Sequence, residues 1–214
     1  WHLKKSMQSL SEALESSLRK TGVNLIFGQK VNSINFDDVN MCWKVSANSK
    51  KNSFVYQAKD LIYTAPPQSL LKHLKEPLNR KLTYKNRLTN LPDPSGAVVF
   101  YSALKKEHIK EISSNHYQFV SHEFGSLFVS ISEDGDGRAP KGEVTLIASI
   151  FTKTKDWFDL DKQNYLRRKK DFMKKISLEL ESQFDILPEN WLHRELATPL
   201  GFEKWTNRPN GIVG

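Results

Sequence analysis

The sequence predicts a mixed α/β (α+β) protein, and three stretches predict it. Residues 7–34 read as a helix, a glycine turn and two strands. Residues 96–152 carry four apolar runs of strand length without helical periodicity. Residues 161–187 form one long amphipathic pattern.

In the first stretch Met7, Leu10, Leu14 and Leu18 share one helical face, which is expected to pack on a sheet. Arg19 and Lys20 suit a last turn and Gly22 a helix stop. Residues 23–27 are then an apolar strand, and residues 31–36, 40–47 and 53–57 a meander with β-branched or aromatic bulk at Val45, Val55 and Tyr56. Residues 60–64 read as a buried strand that stops at Ala65-Pro66-Pro67. Proline cannot donate to a ladder but is tolerated in a first helical turn, so a helix is expected from Pro67.

Residues 78–91 look helical and basic, and Pro92-Asp93-Pro94 ends them. The runs at 96–104, 116–120, 127–132 and 144–152 suggest an antiparallel sheet. The helix over 161–187 presents Met173, Ile176 and Leu180 to that sheet, and Pro188 stops it. Residues 191–197 are a last strand. Strands 23–27 and 61–64 are expected to be neighbours in one sheet, and 96–104 and 144–152 to pair in the other.

The composition narrows the partners. A charged fraction of 26% beside 38% hydrophobic residues describes a folded, globular chain. The 32 basic and 24 acidic residues leave a net charge of +8, which suits an anionic membrane surface, an acidic substrate or nucleic acid. Zinc spacing, RNP-like aromatics and a helix-turn-helix pattern are all missing, so no nucleic-acid partner is expected. Cys42 is the single cysteine; no internal disulfide can form, which favours a reducing, cytoplasmic compartment. No apolar run approaches the roughly 20 residues of a membrane helix.

Metal is not expected. The histidines are scattered, and Asp134-Gly135-Asp136 lacks the distal glutamate of a calcium loop, so a tight hairpin loop is the reading there. The densest basic run is Arg167, Arg168, Lys169 and Lys170, followed by Lys174 and Lys175. Its plain role is a solvated face. Its functional role is docking on anionic lipid, at about 1 kcal/mol per basic residue near the surface.

Three blocks together carry a resemblance: Trp1-His2-Leu3 through Ser6-Met7-Gln8-Ser9-Leu10 to Gly22, then Ile62-Tyr63-Thr64-Ala65-Pro66, then Glu133-Asp134-Gly135-Asp136-Gly137-Arg138-Ala139-Pro140. They resemble the FAD-dependent carotenoid desaturases and isomerases, the phytoene-desaturase branch of the flavin amine-oxidase superfamily. With Thr206-Asn207-Arg208-Pro209-Asn210-Gly211-Ile212-Val213-Gly214 they are most similar to the cyanobacterial carotene 3′,4′-desaturases. One departure stands out: Lys5 occupies a position usually held by glycine.

The resemblance implies a Rossmann-like FAD domain with a β-meander, interrupted by a substrate domain of antiparallel sheet and helices. Residues 1–66 would belong to the first, 67–198 to the second, and 199–214 would return toward the first. It implies FAD in the full-length protein, with Val31, Ala65 and Pro66 near the cofactor. The Gly-x-Gly-x-x-Gly loop that cradles pyrophosphate is not in the sequence. Residues 1–214 are therefore expected to be an inactive fragment that retains no FAD.

The implied substrate is a carotenoid, dissolved in the bilayer, which makes the protein peripheral to a membrane. A polyene offers no polar handle, so its channel should be apolar and aromatic. Phe100, Tyr101, Phe119, Phe128, Phe151, Trp157 and Phe158 are its candidate lining, and no catalytic base is assigned. Two alternatives stand beside this reading. One is a flavin oxidoreductase of the superfamily acting on amines or protoporphyrinogen; the other is a basic membrane- or partner-binding module without flavin.

Overall fold

The computed structural model describes residues 7–75, 82–92, 95–110, 113–133 and 135–213. The chain separates into two compact units, residues 17–93 and residues 94–214 together with 1–16. Their strands form separate sheets, one of three strands and one of five.

Helix α1 (Gln8–Lys20) forms where the leucine spacing places it. It ends in a hydrogen-bonded reversal: Val23 N–H reaches Leu18 O and Gly22 N–H reaches Arg19 O, with Gly22 at φ +79°. That left-handed C′ position is why glycine stands there. The expected packing of its apolar stripe is not found. No residue of α1 is buried, and Met7, Leu10, Leu14 and Leu18 stay exposed.

Residues 23–27 and 61–64 are corrected as well, since neither segment is a strand. An apolar run becomes a strand only when a neighbour completes its hydrogen bonds. Among the described residues no strand lies alongside either segment, and Ile26, Phe27 and Ile62 face solvent.

The meander is as expected. Strands β1 (Lys30–Asp37), β2 (Cys42–Asn48) and β3 (Ser53–Ala58) pair antiparallel in chain order. The first turn is tied by Asp37, whose Oδ1 accepts from the backbone N–H groups of Val39 and Asn40. Across the same hairpin Phe36 meets Trp43 edge-on at 5.1 Å. Helix α2 (Pro67–His73) opens on Pro67, and Leu74 after it bridges to Ile34 of β1. Helix α3 (Leu82–Thr89) realises the helix expected over 78–91; residues 78–81 lie outside the described residues.

In the other unit β4 (Ser95–Lys105), β5 (His116–Ser121), β6 (Gly125–Ile131), β7 (Glu143–Lys153) and β8 (Trp191–Ala197) form an antiparallel sheet of order β5-β6-β7-β4-β8. The expected pairing of 96–104 with 144–152 is its central ladder. A short helix α4 (Lys155–Phe158) follows β7, then α5 (Lys162–Phe184). Asp161 caps α5 through Asn164 N–H, and Asp185 ends it in the left-handed conformation, three residues before Pro188.

Alternation along the strands decides the core. Val98, Phe100 and Leu104 of β4, Leu127, Val129 and Ile131 of β6, and Val144, Leu146, Ala148 and Ile150 of β7 all point to one face. There they meet Ile176, Leu180 and Phe184 of α5, with Met173 half-buried beside them. Residues 199–213 form α6 (Pro199–Thr206) and a turn that closes on the start of β4, where Val213 N–H reaches Ser95 O.

Candidate functional site

The same alternation leaves the second face of the five-stranded sheet open. Its residues are the odd-numbered positions of β4 and β7 and the even-numbered positions of β5 and β6. Tyr101, Phe128 and Phe151 stand on it, 39%, 42% and 73% exposed. His116 stacks on Phe128 at 5.8 Å, and Gln118 donates to Ser126 Oγ one rung away. Ala97, Gln118, Ser126, Phe128, Ser149 and Phe151 border a shallow hollow of about 290 Å³.

Toward β8 the character changes. Tyr101 lies opposite Glu195, which is 3.9 Å from His193. Burial, and then the Glu195 carboxylate, push the Tyr101 hydroxyl up, so it stays a neutral O–H donor. The face is thus aromatic in its middle, with amide and hydroxyl groups between the rings.

Of the seven candidate lining residues, Tyr101, Phe128 and Phe151 share this open face. Phe100 is fully buried on the opposite face, as its position next to Tyr101 in a strand requires. Phe119 stacks on Tyr117 at 5.7 Å and meets Phe184 edge-on, also on the core side. Trp157 is fully buried, with its indole N–H donated to Thr152 Oγ1, and Phe158 packs against the same core. Residue type alone does not separate these two sets, whereas strand parity does. Parity also adds His116 and Gln118, which the sequence reading missed.

The cofactor candidates lie in the unit of residues 17–93. Val31 is on β1, an edge strand, opposite Ala47 and beside a register shift. Ala65 and Pro66 form the turn into α2. That turn is tied by Ser69, whose Oγ donates to Pro66 O and pairs with the Tyr63 hydroxyl, both at 2.6 Å. As an edge strand, β1 has one row of backbone N–H and C=O groups that no other strand of its sheet pairs. These residues supply no pyrophosphate cradle.

The basic run lies on α5, and its members are not equivalent. Arg168 sits over the rings of Trp157 and Phe172 and 3.6 Å from Asp156, so it belongs to the packing of α4 on α5. Arg167 donates to Asn164 Oδ1, while Lys169 and Lys170 make no ion pair among the described residues. Among those residues no group of His, Cys, Asp and Glu is arranged to hold a metal. No helix there is long and apolar enough to cross a membrane.

The loop after β6, which carries much of the resemblance, is held by Asp136 and Arg138. The guanidinium donates from Nε to Asp136 Oδ2 at 2.7 Å, and Asp136 also accepts from the backbone N–H groups of Glu133 and Arg138. Both side chains are largely covered. The motif builds a structural knot.

No curated protein matches the chain. Among solved structures, RAB GDI from Plasmodium falciparum is similar over 79% of this chain at 13% identity and a TM-score of 0.35. The chain spans 31% of that structure's length. The profile of flavin-containing amine oxidoreductases matches residues 1–203, nearly the whole sequence. By that match the chain belongs to the flavin-containing amine oxidoreductase family.

Proposed function

We propose that this chain is the substrate-binding part, and a portion of the flavin-binding part, of an FAD-dependent oxidoreductase that desaturates or isomerises a carotenoid at a membrane surface. The observation that carries this reading is the open sheet face around Phe128 and Phe151. Its rings are exposed on adjacent strands in diagonal register, with neutral Gln118, Ser126 and Ser149 around them. A polyene must be held by contact with flat apolar groups, and aromatic rings supply the largest area for the fewest rotors. FAD, when bound, supplies the hydride acceptor. The protein's own part is to align the polyene, to exclude water from it, and to keep Tyr101 as an uncharged donor.

Docking follows from where such a substrate resides. Arg167, Lys169, Lys170 and Lys174 on α5 give an exposed or half-exposed cationic surface for an anionic bilayer. The test is expression of the full-length protein in a carotenoid-accumulating host, with chromatography of the pigments. A new desaturated or isomerised pigment is expected. Replacing both Phe128 and Phe151 by Ala should lower conversion about tenfold, the equivalent of roughly 1.4 kcal/mol of lost contact. Turnover of an amine with no change in pigment would move the protein to another branch of the family.

A further inference from the structure

Beside the core stripe of α5 runs a second stripe, Lys170, Lys174, Ser177 and Glu181, at successive steps of four, three and four residues. Arg194 of β8 and Pro188 face it, and Met173 and Leu178 form its walls. Together they enclose a groove of about 340 Å³. Two features of the groove are unexplained by packing.

The first is Ser177. The residue is 4% exposed, lines the groove, and its hydroxyl has no hydrogen-bond partner among the described residues. A buried hydroxyl left unsatisfied costs about 1–3 kcal/mol, a cost that an oxygen reaching it from the groove would remove. The second is charge. Lys170, Lys174 and Arg194 meet one carboxylate, Glu181. Glu181 already accepts the Trp191 indole N–H at 2.8 Å and lies 4.0 Å from Arg194, which it orients. Lys170 and Lys174 make no ion pair among the described residues, so the groove keeps a net positive charge.

We infer that this groove binds a phosphate group, and that its source is the headgroup of an anionic phospholipid. Two ammonium groups, a guanidinium and a buried O–H donor match the several acceptor oxygens of a phosphate ester. The wall of Met173, Leu178 and Pro188 gives the ester's apolar arm a surface to follow. Leu178 and the nearby Leu187 are both more than half exposed, as residues that dip below the headgroups would be. The inference rests on the membrane reading above and narrows it from a diffuse basic surface to one built site.

The test uses the 214-residue chain in co-sedimentation with three kinds of vesicle: phosphatidylcholine alone, phosphatidylcholine with phosphatidate, and phosphatidylcholine with oleate at matched surface charge. Soluble glycerol 3-phosphate is titrated separately by NMR. Binding is expected to favour phosphatidate over oleate. Lys174→Gln and Arg194→Gln should each weaken binding to phosphatidate about fivefold. Ser177→Ala removes a hydroxyl that bonds to nothing among the described residues, so the fold should survive. It should abolish the preference for phosphatidate while leaving the response to surface charge.

If anionic vesicles bind but Arg167→Gln and Lys169→Gln weaken them as much as the groove variants do, docking stands and the groove is overturned. If no vesicle binds but glycerol 3-phosphate does, and Ser177→Ala abolishes it, the phosphate site stands and its lipid source is overturned. If neither ligand binds, both readings fall.

Discussion

At the scale of single residues, two acid–base pairs decide how well the turns hold. Asp136 is nearly covered, and burial alone would raise its pKa. The Arg138 guanidinium, with the backbone N–H groups of Arg138 and Glu133, outweighs that and holds the carboxyl below its ordinary range. Arg138→Ala strands this carboxylate, so a loss of about 2 kcal/mol in stability is expected in urea unfolding, whereas Arg138→Lys should recover part of it. Asp37 sits at the surface turn of the meander. The Lys44 ammonium, then the side-chain amide and backbone N–H of Asn40, hold its carboxyl well below the carboxylate range. A depressed folded pKa contributes stability that is present above the unfolded value of about 3.9 and lost as pH falls through the folded value. Asp37→Asn should therefore lower amide-exchange protection of β1 and β2 at neutral pH, with a gap that closes in acid. A gap independent of pH would mean that Asp37 acts only as a turn former.

Among the elements, α4 and the open sheet face separate packing from binding. Trp157→Ala removes a fully buried ring system packed on Tyr165 and Phe172, so it should cost about 3–5 kcal/mol in thermal unfolding. Phe151→Ala, on the open face, should change stability by less than about 0.5 kcal/mol and act on pigment conversion alone. Equal destabilisation by both would deny the open face a binding role. Gly211 makes a third case. It lies at φ +59°, and a Cβ there would stand 1.9 Å from Pro199 O, so Gly211→Ala should release the turn after α6 from β4, at a cost above about 1 kcal/mol. The sequence carried the elements whose partners are within the chain. The meander, the ladder of β4 with β7, and the stripe of α5 all follow from periodicity. Residues 23–27 and 61–64 failed because apolar content specifies burial without supplying a neighbour. The lining candidates were mixed because Phe100 and Tyr101 are equally aromatic and only the pleat sends them to opposite faces. Ser177 was unreadable for a related reason: its isolation depends on what β8 brings opposite it.

For the whole molecule, the uneven distribution of core gives the last prediction. In the unit of residues 94–214, sixteen buried hydrophobic residues form one connected cluster between a sheet and α5. Among the described residues of 17–93 the buried hydrophobic ones are Ile34, Ala47 and Leu88, and the meander's strands are largely half-exposed. Burying a large aliphatic side chain contributes about 1.5–3 kcal/mol, while ordering each residue costs about 1–2 kcal/mol. A unit of this length with so few buried chains is therefore marginal, and its protection should be close to that of a short hairpin assembly. The larger unit has enough apolar burial to unfold cooperatively. Urea unfolding should accordingly show two transitions, with β1–β3 lost first, followed by native-state exchange in which amides of β4 and β7 are protected by several kcal/mol more than those of β1 and β2. One coincident transition for tryptophans 43 and 157, with equal protection in both sheets, would mean that the meander draws its stability from outside its own core.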